Sequence, residues 1–210
     1  MAAFRSAAQL GADAVELDVR RSADGVLVVH HDYRLSDSRE IAETAYAELP
    51  DHVPTLAAAL DACDGMWVNI EIKNDPSQPD FDESESIAEE TIAYLVGRNE
   101  DDRWVISCFR METVDRCRSL APQIRTAWLC SQVPVDVVDV LVRKGHSALH
   151  PWVEELTQPT LVACHAAGLQ VNTWTCNDPA RIKELVAWGI DGICTDTPDV
   201  ALTLVGVEPI

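Results

Sequence analysis

The chain has 210 residues, 47% of them hydrophobic and 24% charged, enough for one large globular domain with a sizeable core. Its formal net charge of −19 argues against nucleic acid as a partner, because backbone binding needs clustered Lys and Arg to displace counterions. A small phosphorylated ligand stays compatible if a bound divalent cation inverts the local field.

No apolar run is long enough to span a bilayer, and the N-terminus lacks the basic-then-apolar layout of a signal peptide. A soluble cytoplasmic protein is the expectation, unless a leader belongs upstream. The seven cysteines, Cys63, Cys108, Cys117, Cys130, Cys164, Cys176 and Cys194, are too far apart for a metal knuckle or a redox pair and read as buried, reduced thiols.

Taken in order, the chain opens on Ala3, Phe4, Ala7, Ala8 and Leu10 at helical spacing, with no capping residue ahead of them. The helix thus starts in mid-turn. A strand is predicted at Ala14–Val19. The Asp-Gly of "RRSADG" then signals a hairpin, so that Val26–His30 extends the strand before it. Helical periodicity at Thr55–Ala62 leads to a strand at Trp67–Ile72. The acidic run "NDPSQPDFDESES" reads as a solvated loop entering a helix at Glu85–Val96.

Strands follow at Trp104–Cys108, Arg125–Leu129, Ala148–His150, Gln170–Thr175 and Gly192–Thr195, with helices at Val135–Arg143, Gln158–Ala167 and Pro179–Trp188. Alternation of this kind predicts a parallel sheet of βαβ units. Seven core strands result, one fewer than a closed (β/α)8 barrel of the TIM type contains. The expected fold is therefore such a barrel lacking its first strand, a single domain over residues 1–210 that begins within the first barrel helix. "LGADAVELD" and "WGIDGICTD" repeat one device, a helix-ending glycine followed by a strand closed with a carboxylate.

Strand periodicity locates the chemistry. In "VELDV", Glu16 and Asp18 point to one face and Val15, Leu17 and Val19 to the other, so the carboxylates face the barrel axis. In "NIEIK" the same rule turns Asn69, Glu71 and Lys73 inward. Carboxylates on neighbouring strands repel unless a cation joins them, and an all-oxygen set favours Mg²⁺, Ca²⁺ or Mn²⁺ over zinc. A salt bridge at the barrel mouth is the structural alternative for any one of them. In "VVHHDYRL", His31 beside Asp32 supplies an imidazole suited to proton transfer and a carboxylate to fix its tautomer, while His30 also reads as a strand-lining side chain.

These segments, with "VPTLAAAL", "VISCF" and "GLQVNTWTCND…GIDGICTDTPDVA", resemble the glycerophosphodiester phosphodiesterase family from Ala2 to Leu202. The resemblance implies an eight-stranded barrel that hydrolyses glycerophosphodiesters to sn-glycerol 3-phosphate and an alcohol with Mg²⁺ or Ca²⁺. It implies metal ligands at Glu16, Asp18 and Glu71, a general acid/base at His31 oriented by Asp32, Lys73 near the phosphate, and Trp174 lining the glycerol pocket. The small inserted subdomain of many relatives should be reduced here to a loop between "HDYRL" and "VPTL".

The family's opening H-R-G and P-E-N-T segment has no counterpart in "MAAFRSAAQ". Three readings follow: an enzyme whose true start lies upstream, a catalytically silent barrel that binds metal or phosphodiester, or a barrel acting on lysophospholipids. His150, in "ALHPW", is not expected to replace the missing proton-transfer group. Omission of a strand predicts unpaired edges and a tendency to aggregate.

Overall fold

The computed structural model describes residues 1–63 and 65–206. Its elements run α1 (Ala2–Leu10), β1 (Ala14–Arg21), β2 (Leu27–Val29), α2 (Leu56–Ala62), β3 (Trp67–Ile72), α3 (Ser86–Arg98), β4 (Trp104–Cys108), α4 (Met111–Leu120), β5 (Arg125–Cys130), α5 (Val137–Lys144), β6 (Ala148–Pro151), α6 (Gln158–Ala166), β7 (Gln170–Thr173), α7 (Pro179–Trp188), β8 (Gly192–Ile193) and α8 (Pro198–Val205). The sheet order is β2-β1-β3-β4-β5-β6-β7-β8. β2 pairs antiparallel with β1, and every other pairing is parallel. The expected hairpin and seven parallel strands are thus present. Among the described residues no ladder joins β8 to β1, and a seam lies between them.

Alternating side chains decide what each face of the curled sheet meets. Leu17, Val19, Val68, Ile70, Ile72 and Ile106 face outward onto Leu56 and Leu60 of α2 and Ile92 and Leu95 of α3. On the other half, Leu149 and Val171 pack on Leu141, Leu161, Ile182 and Leu185 of the later helices. Toward the axis, Val105, Ala127 and Ala148 form a small apolar floor with Trp67. The opposite end of the axis is left to polar groups.

Helix boundaries follow local chemistry. The hydroxyls of Thr55 and Thr157 and the carboxylate of Asp178 accept the N–H groups of Ala58, Thr160 and Ala180, capping α2, α6 and α7. Gly11 and Gly189 end α1 and α7 in the left-handed region, at φ 86° and 82°, which accounts for the sequence echo around them. α1 has no side-chain cap and no fully buried residue. Between His31 and α2 the chain forms two 3₁₀ turns, Ile41–Glu43 and Tyr46–Glu48, over a small cluster of Val28, Leu35, Ile41, Leu49 and Val53. That segment is a compact loop, as expected. Among the described residues no helix is long and apolar enough to cross a membrane.

Candidate active site

The parallel register of β1 and β3 sets Glu16 opposite Asn69 and Asp18 opposite Glu71. With their apolar neighbours committed to the helices, these side chains converge on the axis. One carboxylate oxygen from each of Glu16, Asp18 and Glu71 lies within 4.8 Å of the others. Lys73 follows β3 in the same inward phase, and its Nζ sits 2.8 Å from Asp18 Oδ1 and 2.6 Å from Glu71 Oε1. It neutralises part of the acidic charge. Glu16 is left over, because its buried Oε1 has no hydrogen-bond partner among the described residues.

The electrostatics record that imbalance. Burial, then the negative charges of Asp18 and Glu71, push the Glu16 carboxyl well above its ordinary range. Burial also raises Glu71, against the pull of Lys73. For Lys73 burial works against the charged form, but Glu71 and Asp18 outweigh it and hold the ammonium above its usual value. A buried carboxylate oxygen without a donor, in a cluster of three, fits a divalent cation: oxygen donors at this spacing are what a hard ion takes as ligands.

The β1–β2 hairpin brings the imidazole alongside. The His30 N–H donates to the Asp18 carbonyl at 3.0 Å, which fixes the strand end next to the carboxylates. His31 Nδ1 lies 2.8 Å from Asp32 Oδ1, and this hydrogen bond holds Asp32 below its ordinary pKa. With the Nδ1 proton engaged by a carboxylate, Nε2 is the free nitrogen. His30 Nδ1 instead meets the Asp32 carbonyl at 2.7 Å, a turn-stabilising contact. A cavity of about 240 Å³ opens here, with Arg20, His31, Tyr33, Glu71, Lys73 and Phe109 in its wall. A second cavity of about 360 Å³ is bordered by Arg21, Asp82 and Glu90, charges already paired with one another.

Trp174 stands one step from this group. Its Nε1–H donates to the His150 carbonyl at 2.9 Å, and its ring meets Phe109 edge to face with centroids 5.4 Å apart. Phe109 touches the cavity, so Trp174 backs an aromatic wall. His150 is buried, its Nε2 accepts from Asn172 Nδ2 at 2.9 Å, and burial pushes its pKa down to about 3. A neutral imidazole of that kind does not supply a proton near pH 7.

Two features escaped the sequence. Arg20 and Phe109 continue the inward phase of β1 and β4, a signal present in the alternation itself. The acidic run before α3 is also less solvated than its composition implied. Asp80 and Asp82 are each 12% exposed and pair with Arg20 and Arg21, and Glu85 pairs with Arg110. Local composition gives no sign of partners that are distant in sequence.

Comparison with known proteins identifies relatives over nearly the whole chain. The model of the glycerophosphoryl diester phosphodiesterase family matches residues 1–200. A glycerophosphodiester phosphodiesterase of Caldanaerobacter subterraneus subsp. tengcongensis is 27% identical, over 98% of this chain and 90% of its own length. Among solved structures, an Oleispira antarctica phosphodiesterase in complex with its product sn-glycerol-3-phosphate superposes with a TM-score of 0.83 at 26% identity, over 97% of this chain and 89% of that one. A putative glycerophosphoryl diester phosphodiesterase from Silicibacter pomeroyi gives 0.84 at 25% identity, over 96% and 86%. The chain belongs to the glycerophosphoryl diester phosphodiesterase family.

Proposed function

We propose that this protein hydrolyses glycerophosphodiesters to sn-glycerol 3-phosphate and an alcohol, with Glu16, Asp18 and Glu71 holding a Mg²⁺ or Ca²⁺ ion. The observation that carries the reading is the convergence of those three carboxylates beside His31 and Lys73. When bound, the cation supplies Lewis-acid charge to a phosphoryl oxygen and lowers the pKa of a coordinated hydroxyl.

The chain's own residues do the rest. Lys73 adds fixed positive charge where the phosphoryl oxygens gather negative charge in the transition state. His31, its Nδ1–H held by Asp32, presents Nε2 to take or return one proton. Phe109, backed by Trp174, offers an apolar wall to the carbon skeleton of the glycerol. In-line displacement at phosphorus needs a base on one side and an acid on the other. Among the described residues lining the cavity, His31 is the single imidazole. It can serve one of those two roles. Seven free thiols, six of them buried, support placing the protein in the cytoplasm.

Release of sn-glycerol 3-phosphate from glycerophosphocholine, measured with and without EDTA, tests the reading. Turnover should vanish with EDTA and return with Mg²⁺ or Ca²⁺. His31→Ala should lower kcat by about 10²-fold or more. Turnover indifferent to EDTA and to His31→Ala would overturn the assignment.

A further inference from the structure

The side chain of His31 is 74% exposed, so packing does not hold the imidazole in place. Its backbone carbonyl, however, is gripped by a guanidinium. Arg20 Nε and Nη2 donate to His31 O at 3.0 and 2.7 Å. The other edge of the same group reaches the loop between β3 and α3, with Nη2 donating to Gln78 Oε1 at 2.9 Å and Nη1 to Asp80 Oδ2 at 2.5 Å. Arg20 is 2% exposed. A buried guanidinium is tolerated when its forked donors are met by well-placed acceptors, and here the acceptors come from two separate segments.

Those two segments face one cavity. His31 and Asp32 line it from the hairpin, and Asp75 and Gln78 line it from the loop. The loop is rooted at both ends: Asn74 Nδ2 donates to the Asp82 carbonyl and to Glu85, and Arg21 pairs with Asp82. Its middle is tied through Gln78 and Asp80 to Arg20, while Phe81 lies under the Arg110 guanidinium, 5.3 Å from ring centroid to Cζ.

We propose that Arg20 is a positioning residue: it fixes His31 relative to Glu71 and Lys73 and couples that placement to the 75–82 loop on the far side of the substrate cavity. The proposal rests on the reading of His31 as the proton-transfer group. A lysine here keeps the charge but lacks the planar fork, so it cannot grip His31 O, Gln78 and Asp80 together. Small displacements of a proton-transfer group are costly, since a shift of about 1 Å can lose on the order of 10²-fold in rate.

The test uses Arg20→Lys and Arg20→Gln, with the double variant Gln78→Ala/Asp80→Asn as a second route that leaves Arg20 in place should its replacement prevent folding. Steady-state hydrolysis of glycerophosphocholine and amide hydrogen exchange are measured on each. Arg20→Lys should lower kcat by about 10–100-fold with KM changed less than about threefold. In a His31→Ala background the same change should cost nothing further, because Arg20 acts through His31. Exchange should quicken together at residues 30–33 and 75–82 while β3, β4 and β5 keep their protection. The double variant should give the same pattern at smaller size.

The inference would be overturned by an Arg20→Lys variant with unchanged kcat, or by one that loosens 75–82 and leaves 30–33 untouched. A variant whose loss persists in the His31→Ala background would overturn it too, as a general structural defect. Absence of turnover in the unaltered chain would instead count against the hydrolase reading. The exchange pattern alone then decides the coupling.

Discussion

His31 and His150 stand at the ends of two strands in opposite surroundings. His31 is exposed and bonded to a carboxylate, whereas His150 is enclosed and bonded to the amide of Asn172. Asn172 in turn occupies the space that a side chain at residue 192 would fill: a Cβ on Gly192 would come within 2.4 Å of Asn172 Oδ1. The small residue on β8 therefore makes room for the amide that holds the buried imidazole. A pH effect follows with a definite sign. In the unfolded chain His150 titrates near 6.5, but folded it stays neutral down to about 3. Between those values the unfolded state binds the extra proton, so this contribution to stability is full above pH 6.5 and is lost progressively as pH falls toward 3. His146, also lowered by burial, adds a slope of the same sign. We predict that the thermal midpoint falls from pH 7 to pH 5 and that His150→Gln flattens this fall. An unchanged slope in the variant would contradict this, showing that His150 takes up its proton equally in the folded and unfolded states.

At the scale of elements, stability should be uneven around the sheet. β3 and β4 have hydrogen-bonded neighbours on both sides and fully buried outer faces. Among the described residues β8, two residues long, pairs only with β7, and α1 has neither a side-chain cap nor a fully buried residue. Elements with few buried groups open at low free-energy cost. Amides of α1 and β8 are accordingly expected to exchange on the order of 10²-fold or more faster than those of β3 and β4, as read by hydrogen exchange. Equal protection in α1 and β3 would refute this. The same uneven burial explains which elements were legible beforehand. α7 was readable to the residue because Asp178 and Pro179 open it and Gly189 closes it. α4 gives no such signal, because "METVDRCRSL" is mostly polar and buries Thr113, Val114 and Cys117 alone. α8 follows the β8 run so closely that its own period does not stand apart. β7 and β8 are shorter than their apolar runs, since beyond Thr173 the pairing continues only as single contacts, such as the Cys194 N–H to the Thr173 carbonyl.

For the whole molecule, the net charge of −19 and the concentration of carboxylates on the axis belong to one problem. A protein this acidic that acts on an anionic diester needs positive charge at the point of reaction. Lys73 supplies some of it, and the unpartnered Glu16 oxygen marks where more is needed. This part of the site was legible in the sequence because a strand's two-residue period fixes the face of Glu16, Asp18, Glu71 and Lys73, and neighbouring parallel strands hold them in register. Arg20 shares that period, yet its role depends on Gln78 and Asp80, which come from a loop whose fold no periodicity encodes. The most direct measurement of the central claim is calorimetric titration of the metal-free protein with Mg²⁺ and with Ca²⁺, alone and as Glu16→Gln. One ion should bind per chain, with affinity reduced at least about tenfold in the variant, the loss that removal of even an outer partner of a metal ligand brings. Absence of saturable binding, or equal binding by the variant, would contradict the account.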